Sequence, residues 1–329
     1  MTAVVVEDLR KTYGSRDVLR GIDFAVAEGE IFALLGPNGA GKTTTLEILE
    51  GFRGRDTGRV EVLGMDPQTS AASGELRERV GVVLQDNPVE PYLSVRETIA
   101  RDAGYYRAPR DVDRVIELVG LQERRGARVK DLSGGQKRRL DLALGVVGDP
   151  RLLFLDEPTT GFDPSARRSA WELVRELRDS GTTIVLTTHY MDEVQALADS
   201  VAVIADGRIV ESGTPAKLGG RDRALARIRF ELPEATELAD LPVSRGVTVK
   251  DSLVHIEVPE PTAVLHSLTG WALSQGTTLE RLSVERPSLE DVYLDITRSF
   301  ENSEADEVGG VGEPQQSGAR RRRRNRSRT

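Results

Sequence analysis

Gly36-Pro37-Asn38-Gly39-Ala40-Gly41-Lys42-Thr43-Thr44 is the stretch on which the reading of this chain turns. It fits the pattern G-x-x-x-x-G-K-[ST], and its flanks fit as well. Ile31-Phe32-Ala33-Leu34-Leu35 before it is a short apolar run that reads as a buried strand, and Thr45-Leu46-Glu47-Ile48-Leu49 after it continues as a helix. A strand, a glycine-rich turn and a helix start make a phosphate cradle, because the unpaired N–H groups of a helix N-terminus point at the anion. Gly36, Gly39 and Gly41 are expected to take φ > 0 and let the backbone come close. Lys42 then places its ammonium on the β- and γ-phosphates, and Thr43 offers a hydroxyl to Mg²⁺. The stretch is read as a nucleoside-triphosphate site.

Outward from this loop, strands are expected at Ala3–Val6, Ile22–Val26, Thr57–Gly64 (after a turn), Val80–Leu84, Leu152–Leu155, Thr183–Thr187 and Ser200–Ala205. Tyr13 is placed in a loop, Lys11-Thr12-Tyr13-Gly14. Between Val80–Leu84 and Leu152–Leu155 the pattern is helical. Ser94-Val95-Arg96-Glu97 is a capping-box start, and Asp111–Val119 is amphipathic and closed by Gly120. Helices follow at about Ser165–Asp179 and Met191–Ala198. The reading is a phosphate-binding α/β domain over residues 2–220 with an inserted helical region.

Beyond Thr214–Arg223 the spacing changes. Arg227–Leu232 alternates as a strand, Val247–Val249 and Leu253–Val258 read as a hairpin around Asp251-Ser252, Ala263–Ser274 as a helix and Leu279–Glu285 as a strand. Ser288 caps a last helix whose apolar positions are Leu289, Val292, Tyr293, Ile296 and Phe300. This is a small α+β domain over 224–300. From 301 on, Glu, Ser, Gly, Gln and Arg replace the apolar residues, a composition that cannot offset chain entropy, so 301–329 is expected to be a disordered, arginine-rich tail.

Composition narrows the chemistry. The chain has 329 residues and no cysteine, which removes disulfides, zinc–thiolate sites and thiol catalysis. The opening Thr2-Ala3-Val4-Val5-Val6-Glu7-Asp8 does not have the pattern of a secretory signal. No apolar run approaches the ~20 residues needed to span a bilayer, so a membrane role requires another chain. The net charge of −8 is uneven: seven arginines lie between Arg320 and Arg328, which leaves the rest near −15. An acidic body argues against a general nucleic-acid binder; the arginine tail is read either as a solvated segment with no specific partner or as a contact for anionic lipid head groups or RNA, the one feature that favours a nucleic-acid role.

Two further segments carry chemistry. Leu152-Leu153-Phe154-Leu155-Asp156-Glu157 puts two carboxylates at the end of a buried strand. Neighbours on a strand face opposite ways, so the pair is not two equivalent ligands. Asp156 is assigned to Mg²⁺ through water, and Glu157 to orienting and deprotonating a nucleophilic water. Leu132-Ser133-Gly134-Gly135-Gln136 ahead of a strong helix is a second anion-binding helix end.

With these residues in place the chain resembles the ATP-binding cassette (ABC) family over about residues 2–220. The phosphate loop is Gly36–Thr44, Gln85 matches the Q-loop, Leu132–Gln136 the LSGGQ signature, Thr160-Gly161-Phe162-Asp163 the D-loop and His189 the switch histidine. Tyr13 sits where the family stacks an aromatic on adenine. The resemblance implies a P-loop NTPase fold with an ABC-type nucleotide-binding domain and helical subdomain, using ATP and Mg²⁺. It implies a head-to-tail homodimer, in which Ser133, Gly134, Gly135 and Gln136 of one copy close over the γ-phosphate held by Lys42 of the other, and Asp163 crosses the interface. His189 contacts the γ-phosphate, while Gln85 senses the metal and links to an integral-membrane permease. Phe162 stands where the family usually has leucine. Asp86 and Pro287–Leu294 are similar to bacterial daunorubicin- and multidrug-resistance exporters. The implied function is an ATPase, peripheral on the cytoplasmic face of the membrane, that energises export of drug, antibiotic or lipid-like compounds. The rival is a soluble cassette ATPase acting on nucleic acid or the ribosome, which a single cassette with no room for a coiled coil between Thr44 and Leu132 disfavours.

Overall fold

The computed structural model describes residues 1–84, 89–221, 224–233, 236–243, 246–250 and 253–294. Gln85, Asp86, Asp251, Ser252, Ile296, Phe300 and the arginine tail, all singled out above, lie outside the described residues.

Strands β1 (Thr2–Tyr13) and β2 (Arg16–Ala27) form a long antiparallel hairpin. Lys11–Tyr13 is therefore strand rather than the expected loop, and both strands run well past their expected limits. Register shifts between Val6 and Leu9 and at Lys11/Thr12, with Asp8 at φ +45°, interrupt the two-residue alternation that would reveal a continuous strand. Strand β3 (Ile31–Leu35) feeds helix α1 (Lys42–Leu49), and β4 (Thr57–Val62) pairs with β1 to complete a three-stranded sheet. Helix α2 (Ser70–Arg79) then precedes β5 (Val80–Val83). Within α2 the apolar pattern is too sparse to have signalled a helix.

The inserted helical region is α3 (Val95–Ala103), α4 (Val112–Leu118) and α5 (Gly134–Val146). Its starts are as expected: Ser94 and Glu97 form a capping box, and Asp111 accepts from the Arg114 N–H. The chain continues through β6 (Leu152–Asp156), α6 (Pro164–Asp179), β7 (Thr183–Thr188), α7 (Met191–Leu197), β8 (Ser200–Ala205) and β9 (Arg208–Gly213).

Six strands form the central sheet in the order β5-β6-β7-β3-β8-β9, parallel except for β9. All five residues of β3 are buried because both faces are covered. Ile31, Ala33 and Leu35 join the core shared with the helical region, while Phe32 and Leu34 join the core under the three-stranded sheet. The register places the functional turns together. Leu35 pairs with Thr188 and Asp156 with Thr187, so the chain leaves β3, β6 and β7 at one edge.

The second unit is an antiparallel sheet of β10 (Ala226–Glu231), β11 (Val247–Lys250), β12 (Leu253–Val258) and β13 (Ser283–Glu285), ordered β11-β12-β10-β13, with helix α8 (Pro261–Ser274). It has its own core of Ile228, Phe230, Val254, Ile256, Leu268 and Leu279. Strand β13 is shorter than the expected Leu279–Glu285, since Arg281 takes φ +54° and breaks the extended run. A closing helix opens at Leu289, capped as expected by Ser288, whose Oγ accepts from the Asp291 N–H at 3.0 Å. Leu289 and Tyr293 from this helix pack into the core of the first unit. The Arg221 guanidinium fastens the junction by donating to the carbonyls of Pro287 (3.1 Å) and Pro215 (2.9 Å).

Candidate active site

The phosphate loop is built as its sequence requires, with one change of reason. Gly39 and Gly41 take φ of +82° and +109°, and Gly41 is the N-cap of α1, which starts at Lys42. Gly36 is not among the positive-φ glycines. Its need for hydrogen is steric, because a Cβ there would lie 2.3 Å from the Ile204 carbonyl oxygen on β8. The loop borders a cleft of about 370 Å³, lined by Asn38, Gly39, Gly41–Thr44, Glu157 and, from the start of β2, Arg16 and Val18. Arg16 is a second cation at this rim that sequence reasoning missed. Nothing in its spacing marks it, because the hairpin turn is what brings it beside Gly39.

Lys42 is buried. Its Nζ donates to the carbonyls of Gly36 (2.8 Å) and Pro37 (3.1 Å) and lies 3.4 Å from Glu157 Oε1. Burial pushes its ammonium down, against the pull of Glu157 and Asp156. Burial alone raises the Glu157 carboxyl, but Lys42 and His189 more than offset this and hold it below the usual carboxylate value. His189 Nδ1 stands 3.3 Å from Glu157 Oε1. The imidazole lies against the Tyr190 ring at 4.0 Å between centroids.

Asp156 and Glu157 are inequivalent, as expected, but strand alternation is not the cause. Asp156 is the last strand residue, and it accepts from Thr187 Oγ1 (2.5 Å) and Thr43 Oγ1 (3.2 Å). Glu157 sits off the strand at φ +45°, with its N–H on Thr187 Oγ1 at 3.0 Å, and this turn aims its carboxylate at Lys42 and His189. Mg²⁺ fits the donors present: a carboxylate and a hydroxyl already at 3.2 Å are hard oxygen ligands beside the phosphate cradle. Among the described residues no group of three or more His, Cys, Asp or Glu could hold a metal.

The signature segment stands apart from this cleft. Ser133 caps α5 by a capping box, accepting from the Gln136 N–H while Gln136 Oε1 accepts from the Ser133 N–H at 3.0 Å. A Cβ on Gly134 or Gly135 would meet nothing within 4 Å, so this helix end is open. None of Ser133, Gly134, Gly135 and Gln136 lines the phosphate cleft. Asp163 is the N-cap of α6, with its Oδ1 accepting from the N–H groups of Ser165 (2.8 Å) and Ala166 (2.9 Å). Tyr13 ends β1 with its ring exposed between Lys11 and Arg53, whose cationic groups lie 5.6 and 5.3 Å from its centroid. Arg138 is a second residue that sequence reasoning missed. From α5 its buried guanidinium donates to the carbonyls of Leu84, Asp156, Pro158 and Glu157, stapling the signature helix to the carboxylate strand. In sequence it looks like one of three consecutive basic residues near a helix start.

A phosphate loop, a carboxylate hydrogen-bonded to the hydroxyl that follows the loop lysine and a second carboxylate 3.4 Å from that lysine, all at one edge of a parallel sheet, define a P-loop nucleotide-binding protein. The family model for "ABC transporter" matches residues 19–160, and that for "ABC transporter domain-containing protein-like, C-terminal domain" matches 226–288. The chain is 39% identical over 302 residues to Nod factor export ATP-binding protein I of Rhizobium meliloti (strain 1021), covering 90% of this chain and 88% of that one. It is 37% identical over 320 residues to daunorubicin resistance ATP-binding protein DrrA2 of Streptomyces coeruleorubidus, covering 93% and 98%. Among solved structures, cbiO1 from Clostridium perfringens, described as part of the ABC transporter complex cbiONQ, is similar with a TM-score of 0.61 at 30% identity, covering 66% of this chain and 90% of that one. The chain belongs to the ABC transporter family as one of its ATP-binding, ATP-hydrolysing subunits. Among the described residues no helix is long and apolar enough to cross a membrane.

Proposed function

We propose that two copies of this chain, docked on a separate membrane permease at its cytoplasmic face, hydrolyse ATP to drive export of a drug-, antibiotic- or lipid-like cargo. The observation that carries the reading is the meeting of Lys42, Glu157 and His189 within 3.4 Å contacts, beside the Thr43–Asp156 pair. Lys42 exchanges its contact with Glu157 for the β- and γ-phosphates, and the backbone N–H groups of the phosphate loop cradle the anion. Thr43 and Asp156, with Gln85, would hold Mg²⁺. When bound, that ion neutralises charge on the phosphate oxygens. Glu157, held below the usual carboxylate value with Lys42 beside it, accepts a hydrogen bond from the attacking water and takes its proton on the carboxylate. His189 contacts the γ-phosphate, and Tyr13 stacks on the adenine.

The open start of α5 supports a site completed by a second copy, with Ser133, Gly134, Gly135 and Gln136 over the γ-phosphate and Asp163 at the interface. The two separate cores support division into an ATPase unit over 2–220 and an accessory unit from 224, with the closing helix returning to the first. The arginines of the 301–329 tail are assigned to anionic lipid at the membrane surface. The relatives named for Nod factor export and daunorubicin resistance support the direction of transport.

Purification of the tagged chain from detergent-solubilised membranes tests this reading. A co-purifying multi-spanning protein that stimulates ATP turnover is expected. Recovery of bound RNA with no membrane subunit would instead favour the soluble rival.

A further inference from the structure

Outside the triphosphate cleft, Glu193 on α7 is the most enclosed carboxyl group in a position to act on it. It has 0% exposure. Its Oε1 accepts from Thr159 Oγ1 at 2.9 Å and from Trp171 Nε1 at 3.2 Å, and the Thr188 hydroxyl, next to His189, also favours its charged form. Those contacts join three pieces of machinery. Thr159, 1% exposed, lies two residues beyond Glu157 in the loop that leads to Asp163. Trp171 belongs to α6, the helix Asp163 caps. Glu193 itself is four residues beyond His189. On the outer side, Arg167 of α6 lies over the Tyr190 ring at 4.4 Å and pairs with Asp192 at 2.9 Å, so α6 grips the segment after His189 from both sides.

We propose that Glu193 is a positioning residue for ATP hydrolysis, locking the loop that carries Glu157 and the segment that carries His189 into one unit. An apolar side chain of that size would fill the space with no desolvation penalty. What the carboxyl adds is direction: one oxygen fixes a hydroxyl on the Glu157 loop and an indole N–H on α6 at once. Glu157 and His189, in contact at 3.3 Å, then keep their relative placement beside the γ-phosphate position when Lys42 moves to the nucleotide. Burial pushes the Glu193 carboxyl up, in keeping with a group enclosed on all sides. This inference rests on the proposed roles of Glu157 and His189.

Steady-state ATPase assays on the full chain test it, with Glu193→Leu, Glu193→Gln, Thr159→Val and the Thr159→Val/Glu193→Leu double variant. Glu193→Leu and Thr159→Val are each expected to lower kcat roughly tenfold while the KM for ATP stays within about twofold. Glu193→Gln retains most of the activity, because it keeps an acceptor in place. The double variant is no worse than Glu193→Leu alone, since both remove one link. A folded Glu193→Leu protein with wild-type kcat overturns the proposal. So does a Gln variant as impaired as the Leu variant, or a double variant whose loss is the product of the single losses. Should Glu193→Leu not fold, wild-type kcat in Thr159→Val overturns it alone. Glu157→Gln, measured alongside, reads the base assignment separately: normal turnover there removes that assignment, whereas the Glu193 proposal is decided by its own kcat ratios.

Discussion

Replacing Glu157 by Gln removes one charge from a cleft in which three titratable side chains touch, and the effects on turnover and on binding have opposite signs. Glu157 lies 3.4 Å from Lys42 Nζ, with side chains 12% and 4% exposed. Two unit charges at that distance attract by roughly 5 kcal/mol gross at an effective dielectric of about 20. Desolvating both groups offsets most of this, leaving about 1–2 kcal/mol net. In the wild type an arriving phosphate has to displace that contact; in Glu157→Gln it does not. ATP is therefore expected to bind roughly five- to thirtyfold more tightly. Turnover falls by the ~10²–10⁴-fold ascribed to a positioned base. Phosphate release at saturating MgATP measures the second quantity, and anisotropy of a fluorescent ATP analogue the first. Near-normal hydrolysis would falsify the role of Glu157, and weaker ATP binding would show that its contact with Lys42 does not compete with phosphate.

Lys42→Ala is expected to abolish nucleotide binding; the same anisotropy titration checks it, and an unchanged curve counts against the phosphate-loop assignment. Arg138→Met strands the Asp156 and Pro158 carbonyls that the guanidinium now satisfies. The expected loss is about 1–3 kcal/mol, read as the midpoint of denaturant unfolding; a shift under about 0.5 kcal/mol would mean that water replaces the guanidinium at no cost. Glu50 has its carboxyl pushed up to about 8 by burial and then by Asp156 and Glu47, and its Oε2 has no partner. A raised carboxyl binds its proton more tightly in the folded chain, so its stabilising contribution is whole below the ordinary carboxylate range and is lost as pH rises to about 8. Glu50→Gln is then more stable than wild type above pH 8 by on the order of 5 kcal/mol, from a shift of 4.5 to about 8. Thermal unfolding at pH 5.5 and 8.5 checks the sign, and equal stability of the two proteins at pH 8.5 refutes it. Removing residues 302–329 leaves ATP turnover unchanged in a phosphate-release assay, and a large loss would place a functional element in the tail.

Much of the site was legible in the linear chain because its chemistry depends on local spacing. Gly41 before Lys42 caps α1 with φ +109°, a conformation glycine adopts without strain, so the cradle is encoded within nine residues. The run Ile31–Leu35 reads as a strand covered on both faces because it has no polar side, and the structure covers both. The capping box expected at Ser94 is likewise a four-residue event and formed where expected, and the helix expected after Ser133 starts there, its cap closed by a reciprocal bond to Gln136. Strand limits in the first hairpin were not legible, because bulges break the alternation on which such reading relies.

By itself, then, the sequence determined the class: a triphosphate cradle, a carboxylate strand and a second helix end, each set by neighbours a few residues apart. Only the tertiary structure decided which groups meet. Parallel register between β6, β7 and β3 sets Thr187 against Asp156 and brings Glu157 to Lys42, 115 positions away in the chain. Arg138, Arg16 and Glu193 carry no local signature, since each acquires its partners from segments far off in sequence. The positive φ at Glu157, not strand alternation, turns its carboxylate toward Lys42. Long-range pairing fixes such contacts through geometry summed over the whole sheet, and no short window of residues contains that sum.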